Sequence, residues 1–154
     1  VSLDDDVRTT LRADAGVGGV KTLLTGDIYT WAITGRMFIA RDNTATSSAF
    51  DSNGIIKPCC MVKLRSENPF DDITDDEPLR STRSVLELWF YQDDGYDTIE
   101  SAKQRAFTLL HKQCVGGFKL DYTGDPMLRT YTDEFGGAFM LRSEYQAFRV
   151  NTGQ

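Results

Sequence analysis

With 154 residues, 40% of them apolar and 26% charged, the chain has the size and make-up of one globular domain that can bury a core without disulfides or a metal. A formal net charge of −6 excludes a protein that grips nucleic acid by neutralising phosphates, though it suits a surface that DNA slides past. No stretch approaches the roughly 18 to 20 apolar residues of a membrane helix.

The opening Val1-Ser2-Leu3-Asp4-Asp5-Asp6 has neither the basic nor the apolar region of a signal peptide, so manufacture inside the cell is expected. Leu3, Val7 and Leu11 recur at helical spacing, with three aspartates in the first turn where the helix dipole favours them. Ser2 suits an N-cap and Gly16 a stop. A second short helical piece is expected over 17–24, then a strand over 27–31. Gly16-Val17-Gly18-Gly19-Val20-Lys21-Thr22 superficially echoes a phosphate-binding loop, but Val20 separates the last glycine from the lysine. It reads as a break between helices.

Residues 32–57 read as a protruding arm outside the main sheet. Met37-Phe38-Ile39-Ala40 could be one strand, and Phe50 and Ile55-Ile56 bracket an Asn53-Gly54 hairpin turn. A core strand is expected over 57–66, entered at Pro58, with Cys60, Val62 and Leu64 on one face. An acidic loop bounded by prolines follows at 67–79, and the longest strand candidate spans 80–92. The Asp93-Asp94-Gly95 corner feeds a helix over 96–112, whose stripe is Ile99, Ala102, Ala106, Leu109 and Leu110, with Gly116-Gly117 ending it. A short strand at 118–122, a turn at Thr123-Gly124-Asp125-Pro126, and a hairpin of 127–133 with 138–150 complete the chain. The sum is one α+β domain: a mainly antiparallel sheet packed on a central helix and an N-terminal helix, with a long extended arm or hairpin.

Candidate chemistry is sparse. His111 is the single histidine, with Cys114 three residues on, placing a Cys–His pair on one helix without an orienting acid or amide. A packing role is favoured, and a small thiol-dependent enzyme is the alternative of another class. Asp71, Asp72, Asp75, Asp76 and Glu77 lack the central glycine and terminal glutamate of a calcium loop, and read as solvated or partner-facing. Three cysteines, two of them adjacent (Cys59, Cys60), fit reduced buried thiols. Trp31 and Trp89 fit core or subunit contact. No cofactor or metal is expected, and no catalysis.

Element order carries one further clue. The N-terminal helix holds Val7-Arg8-Thr9-Thr10-Leu11-Arg12-Ala13-Asp14, Gly26-Asp27-Ile28-Tyr29 enters the first strand, and a long strand at 83–91 follows an excursion. The helix opening Tyr96-Asp97-Thr98-Ile99-Glu100-Ser101-Ala102 and a hairpin ending Tyr145-Gln146-Ala147-Phe148-Arg149-Val150 complete the layout. This layout resembles the tail-completion or tail-terminator proteins of long-tailed bacteriophages. The resemblance implies a virion location and a homo-oligomeric ring, most simply a hexamer, at the head-tail junction. It implies contact with the tail tube protein and the head-side connector, with DNA passing through without specific binding. A neck or head-completion protein of the same particle is the alternative.

Within that picture, Phe38, Phe50, Ile55 and Ile56 of the arm are expected to meet a neighbouring subunit or partner. Arg80, Arg83, Arg129 and Arg142 would fix subunit register through charge pairs, and the five acids of the 67–79 loop would face the channel.

Overall fold

The computed structural model describes residues 3–36, 38–40, 42–66, 80–132 and 137–151, with backbone alone at 66, 80–83, 125–129 and 149–151. Helix α1 (Leu3–Arg12) buries Leu3, Val7 and Leu11, the i, i+4, i+8 stripe, each side chain stabilising by about 1.5–3 kcal/mol. Its aspartates sit in the first turn and Arg12 in the last, both matched to the dipole. Helices α2 (Val20–Leu23) and α3 (Trp31–Thr34) are single turns, and α4 (Asp97–Leu110) is the long one.

Among the described residues six strands form one sheet: β1 (Ile28–Tyr29), β2 (Cys59–Ser66), β3 (Arg80–Gln92), β4 (Cys114–Val115), β5 (Phe118–Thr132) and β6 (Ala138–Asn151), in the order β1-β2-β3-β6-β5-β4. Only β1 and β2 run parallel. The β3–β6 ladder runs from Arg80↔Asn151 to Gln92↔Phe139, whereas β2 stops at Ser66↔Ser84. Beyond that point β3 and β6 continue as a ribbon.

Strand alternation divides the core in two. On the helix side, Cys60 and Val62 of β2, Leu86, Leu88 and Phe90 of β3, and Leu141, Tyr145 and Ala147 of β6 pack with Ile99, Ala102, Ala106 and Leu110 of α4. The α1 stripe, Val20 and Leu24 complete that cluster. The odd-numbered Cys59, Met61 and Tyr91, with Ala138 and Met140, face the other way, onto Tyr29, Ile39, Ala49 and Ile56. Thus the α+β class and the helix-covered face follow the strand and helix periodicities.

Several local expectations are corrected. Trp31 does not extend the first strand, which ends at Tyr29; it begins α3, with Gly35 (φ +71) closing that turn. The stretch 38–40 is not a strand, and Met37 lies outside the described residues. The segment 32–57 keeps its hairpin turn, since Phe50 bridges Ile56 and Gly54 takes φ +77. The rest of it, however, holds the end of α3 and a 3-10 turn (Thr44–Ala49) and is folded onto the sheet, because Ile39, Ala49 and Ile56 supply the cover that Cys59, Met61 and Tyr91 require. It is therefore less a free arm than a lid on the second face.

Downstream, α4 ends at Leu110, not at the paired glycines; Gly116 (φ +58) and Gly117 (φ +83) instead turn β4 into β5. The expected turn at Thr123–Pro126 is a set of bulges inside β5, whose register against β6 shifts between Tyr122 and Gly124, Gly124 and Met127, and Met127 and Thr130. Pro126 has no N–H for the ladder, and a bulge tolerates that gap. The acidic loop 67–79 lies outside the described residues, as does the 133–136 turn.

Candidate assembly interface

The β1 edge of the sheet is organised by side chains that satisfy backbone groups where no strand or long helix can. Asn43 Oδ1 accepts from the Ala45 N–H (2.9 Å), capping the 3-10 turn, while its Nδ2 donates to the Thr34 carbonyl (2.8 Å). The Thr34 hydroxyl donates to the Arg36 carbonyl and Thr46 Oγ1 to that of Ala40 (2.7 Å). Tyr29 donates to the Gly26 carbonyl (2.6 Å) and meets Ser48 Oγ at 2.8 Å; burial pushes its phenol up to about 12. Asp51 Oδ1 accepts from the Asn53 and Ile55 amides (2.8 and 3.0 Å), shaping the tight turn.

That scaffold presents three large apolar side chains to solvent: Trp31 at 54% exposure, Phe38 at 45% and Ile55 at 42%. The Arg36 guanidinium lies 5.4 Å from the Phe38 ring centre. Of the four apolar residues expected at contacts, Phe38 and Ile55 are available, Phe50 is half-buried, and Ile56 belongs to the core. Ile56 is spent on the fold and has little left for a partner.

Past the lid, the open face of the sheet becomes ionic. Lys63 Nζ sits 3.8 Å and the Arg142 guanidinium 4.9 Å from the Trp89 ring centre, and Trp89 Nε1 donates to Glu87 (3.0 Å). Arg65 bridges Glu87 (3.2 Å) and Glu144 (3.4 Å). These residues come from three adjacent strands in register: Lys63↔Glu87↔Glu144 form one row, and Trp89↔Arg142 the next. Arg142, expected to pair between subunits, is therefore stacked on its own Trp89. The side chains of Arg80, Arg83 and Arg129 lie outside the described residues.

On the helix side, α4 and the bulged region of β5 and β6 leave a hollow of about 340 Å³. Its lining includes the rings of Phe107 and Tyr122, packed edge-to-face at 5.1 Å, with Lys103, Gln104 and Thr108. Ser143 also borders it; the residue is fully buried, and its hydroxyl has no hydrogen-bond partner among the described residues.

His111 and Cys114 do not share a helix. His111 follows the last turn of α4, its ring stacked on Phe107 at 4.6 Å and its Nδ1 accepting from the Tyr122 N–H (3.1 Å). Cys114 opens β4 and lines a separate depression with Asp6, Thr10 and Gln113. No hydrogen bond joins the two among the described residues, because Lys112 (φ +62) turns the chain between them. Burial holds the Cys59 and Cys60 thiols far above the usual thiol range, which keeps them inert. Among the described residues no group of three or more His, Cys, Asp or Glu is placed to hold a metal ion, and no helix is long and apolar enough to cross a membrane.

Sequence reasoning did not anticipate the ionic lattice on the open face or the hollow under α4. Alternation alone puts Lys63 and Glu87 on the face away from Val62 and Leu88, so the lattice had a signal. The hollow had none, since it depends on the bulges of β5.

The fold is that of a single α+β domain built on one curled, mainly antiparallel sheet. No family model matches the chain, and no curated protein does. A chain in a solved structure described as "Virion of native gene transfer agent (GTA) particle" has a similar fold, with a TM-score of 0.56 at 14% identity over 96% of this chain and 94% of that one.

Proposed function

We propose that the protein is a structural subunit of a phage-like virion that closes into a ring at the head-tail junction, with six copies the simplest number. In this role it ends the tail tube and joins it to the head-side connector, leaving a channel for DNA. The observation that carries the proposal is the end-to-end likeness of fold to a chain of a virion particle. Trp31, Phe38 and Ile55, exposed along one edge, supply apolar surface that association would cover.

In the same proposal the acids Asp71, Asp72, Asp75, Asp76 and Glu77 approach the channel, where negative charge repels phosphates and keeps a passing genome from sticking. Arg80, Arg83 and Arg129 remain candidates for contacts that set subunit register. The protein carries no chemistry of its own in this role.

Negative-stain imaging and sedimentation of the purified protein test the ring directly: closed rings of constant subunit number are expected, and a strictly monomeric protein at every concentration would remove the proposal. Particles made without the chain separate its possible positions. Tails of uncontrolled length beside DNA-filled heads are expected for a terminator. Heads that lose their DNA beside tails of normal length would assign it instead to head completion.

A further inference from the structure

We propose that His111 is a pH-sensitive latch: a neutral imidazole closes the outer edge of β5, and protonation releases it. The device belongs to the single chain and does not depend on ring formation. After α4 the chain runs back along that edge. Val115 and Cys114 pair with Phe118 and Lys119. The Leu120 N–H then donates to the Gln113 carbonyl (3.0 Å), and the Lys112 N–H donates to the Leu120 carbonyl (2.7 Å). The next outward amide of β5, that of Tyr122, lies past the end of this backbone pairing. It donates instead to Nδ1 of His111 (3.1 Å), so a side chain supplies the last rung.

A backbone N–H can only donate, so this contact requires a bare Nδ1 and the ring proton on Nε2. Protonating the ring sets a second N–H against the first and ends the hydrogen bond. The rung is therefore present while the ring is neutral and is lost as pH falls. Imidazole is the side chain whose charge ordinarily changes between about pH 5 and 8.

The charged form also has a setting here. His111 stands at the C-terminal end of α4, where the helix dipole favours a cation. Its ring is stacked on Phe107 at 4.6 Å and lies perpendicular to Tyr122 at 6.4 Å. Each form is thus held by different contacts: the neutral ring by the Tyr122 amide, the charged ring by the helix end and its aromatic neighbours. Two states with separate partners are what a switch needs. Of the titratable side chains on the surrounding elements, Lys103 of α4 lines the hollow beside Phe107, and Lys112 follows His111 in the turn. Tyr122 of β5 packs on Tyr145 of β6, whereas Lys119 and Asp121 alternate to the other face of β5. Asp6 and Cys114 line the separate depression by Leu109 and Gln113.

Because the chain has a single histidine, 15N-histidine labelling of the full-length protein gives one imidazole to follow by NMR. At neutral pH the proton is expected on Nε2; a ring carrying it on Nδ1 would overturn the latch. Amide hydrogen exchange is the second readout, corrected for the intrinsic effect of pH on exchange. Between about pH 7.5 and pH 5, protection of the Tyr122 amide should fall roughly tenfold, while that of Leu88 in β3 stays constant. His111→Asn places an amide oxygen where Nδ1 stands and cannot titrate, so protection of Tyr122 should lose its pH step in that variant. Constant Tyr122 protection in the native chain, or the same fall in His111→Asn, would overturn the proposal. If the variant does not fold, the tautomer and the native exchange profile decide the question by themselves.

Discussion

Asp14 accepts hydrogen bonds from the Val20 N–H (2.9 Å) and from Arg105 Nε and Nη2 (2.8 and 3.1 Å), so one carboxylate joins the end of α1, the start of α2 and the outer side of α4. The Arg105 hydrogen bond, with help from the Val20 amide, lowers its pKa below the ordinary carboxylate value. A depressed folded-state pKa adds stability that is present above the unfolded value of about 4 and is lost as pH falls through the folded value. Asp14→Asn should therefore flatten the acid side of the plot of melting temperature against pH, and Arg105→Met should do the same. An unchanged acid limb in both variants would show that the pair contributes nothing. Gly26 illustrates a different constraint, since a Cβ there would lie 3.0 Å from the Pro58 carbonyl, where β1 comes alongside β2.

At the level of elements, the junction of β3 with α4 depends on Gln92. Its Nε2 donates to Asp94 (3.0 Å) and Asp97 (2.9 Å), and its Oε1 accepts from the Ile99 N–H (3.1 Å), an amide of the first turn of α4. Tyr96 at the N-cap provides no side-chain cap, so a residue from the preceding strand supplies it. Gln92→Leu conserves volume but leaves the Ile99 amide buried and unpaired. A loss of about 1–3 kcal/mol is expected, read as a lower urea midpoint at unchanged slope. Leu88, in the middle of β3, faces the α4 stripe and has no exposure. Leu88→Asp should cost on the order of 3–5 kcal/mol or more, a large part of a domain's total stability, and abolish soluble protein. Normal yield and melting of that variant would refute the packing of strand on helix.

For the whole molecule, the lid changes what a deletion can show. Removing Thr44–Ile55 would take Ala49 away from Cys59, Met61 and Tyr91, so unfolding is expected rather than a folded monomer unable to assemble. Point changes at the rim avoid that problem. Phe38→Ser with Ile55→Ser alters two exposed side chains, should leave the melting temperature within the small range usual for surface changes, and should weaken ring formation measured by sedimentation. Full ring formation by the double variant would leave these residues without an assembly role.

Much of the fold is local in origin. The spacing of Leu3, Val7 and Leu11, the alternation through Leu86, Leu88 and Phe90, and the stripe on α4 each report which face is buried, because a helix or strand has one period and one buried side. From these the α+β class and the helix-covered sheet followed, as did the span of β3. The residues expected at contacts were harder to read: Phe38 and Ile55 are exposed, but Ile56, in the same apolar string, is core. An apolar residue in an irregular segment has no period to reveal its direction. Tertiary structure alone decided that 32–57 folds back over the second face, that Thr123–Pro126 bulges a continuous strand, and that His111 and Cys114 part company. Each depends on a partner distant in sequence: the lid on Met61 and Tyr91, the bulges on the β6 ladder, and the His111 ring on the Tyr122 amide. Such pairings are chosen by closing the whole chain around its core, a choice that no window of residues contains.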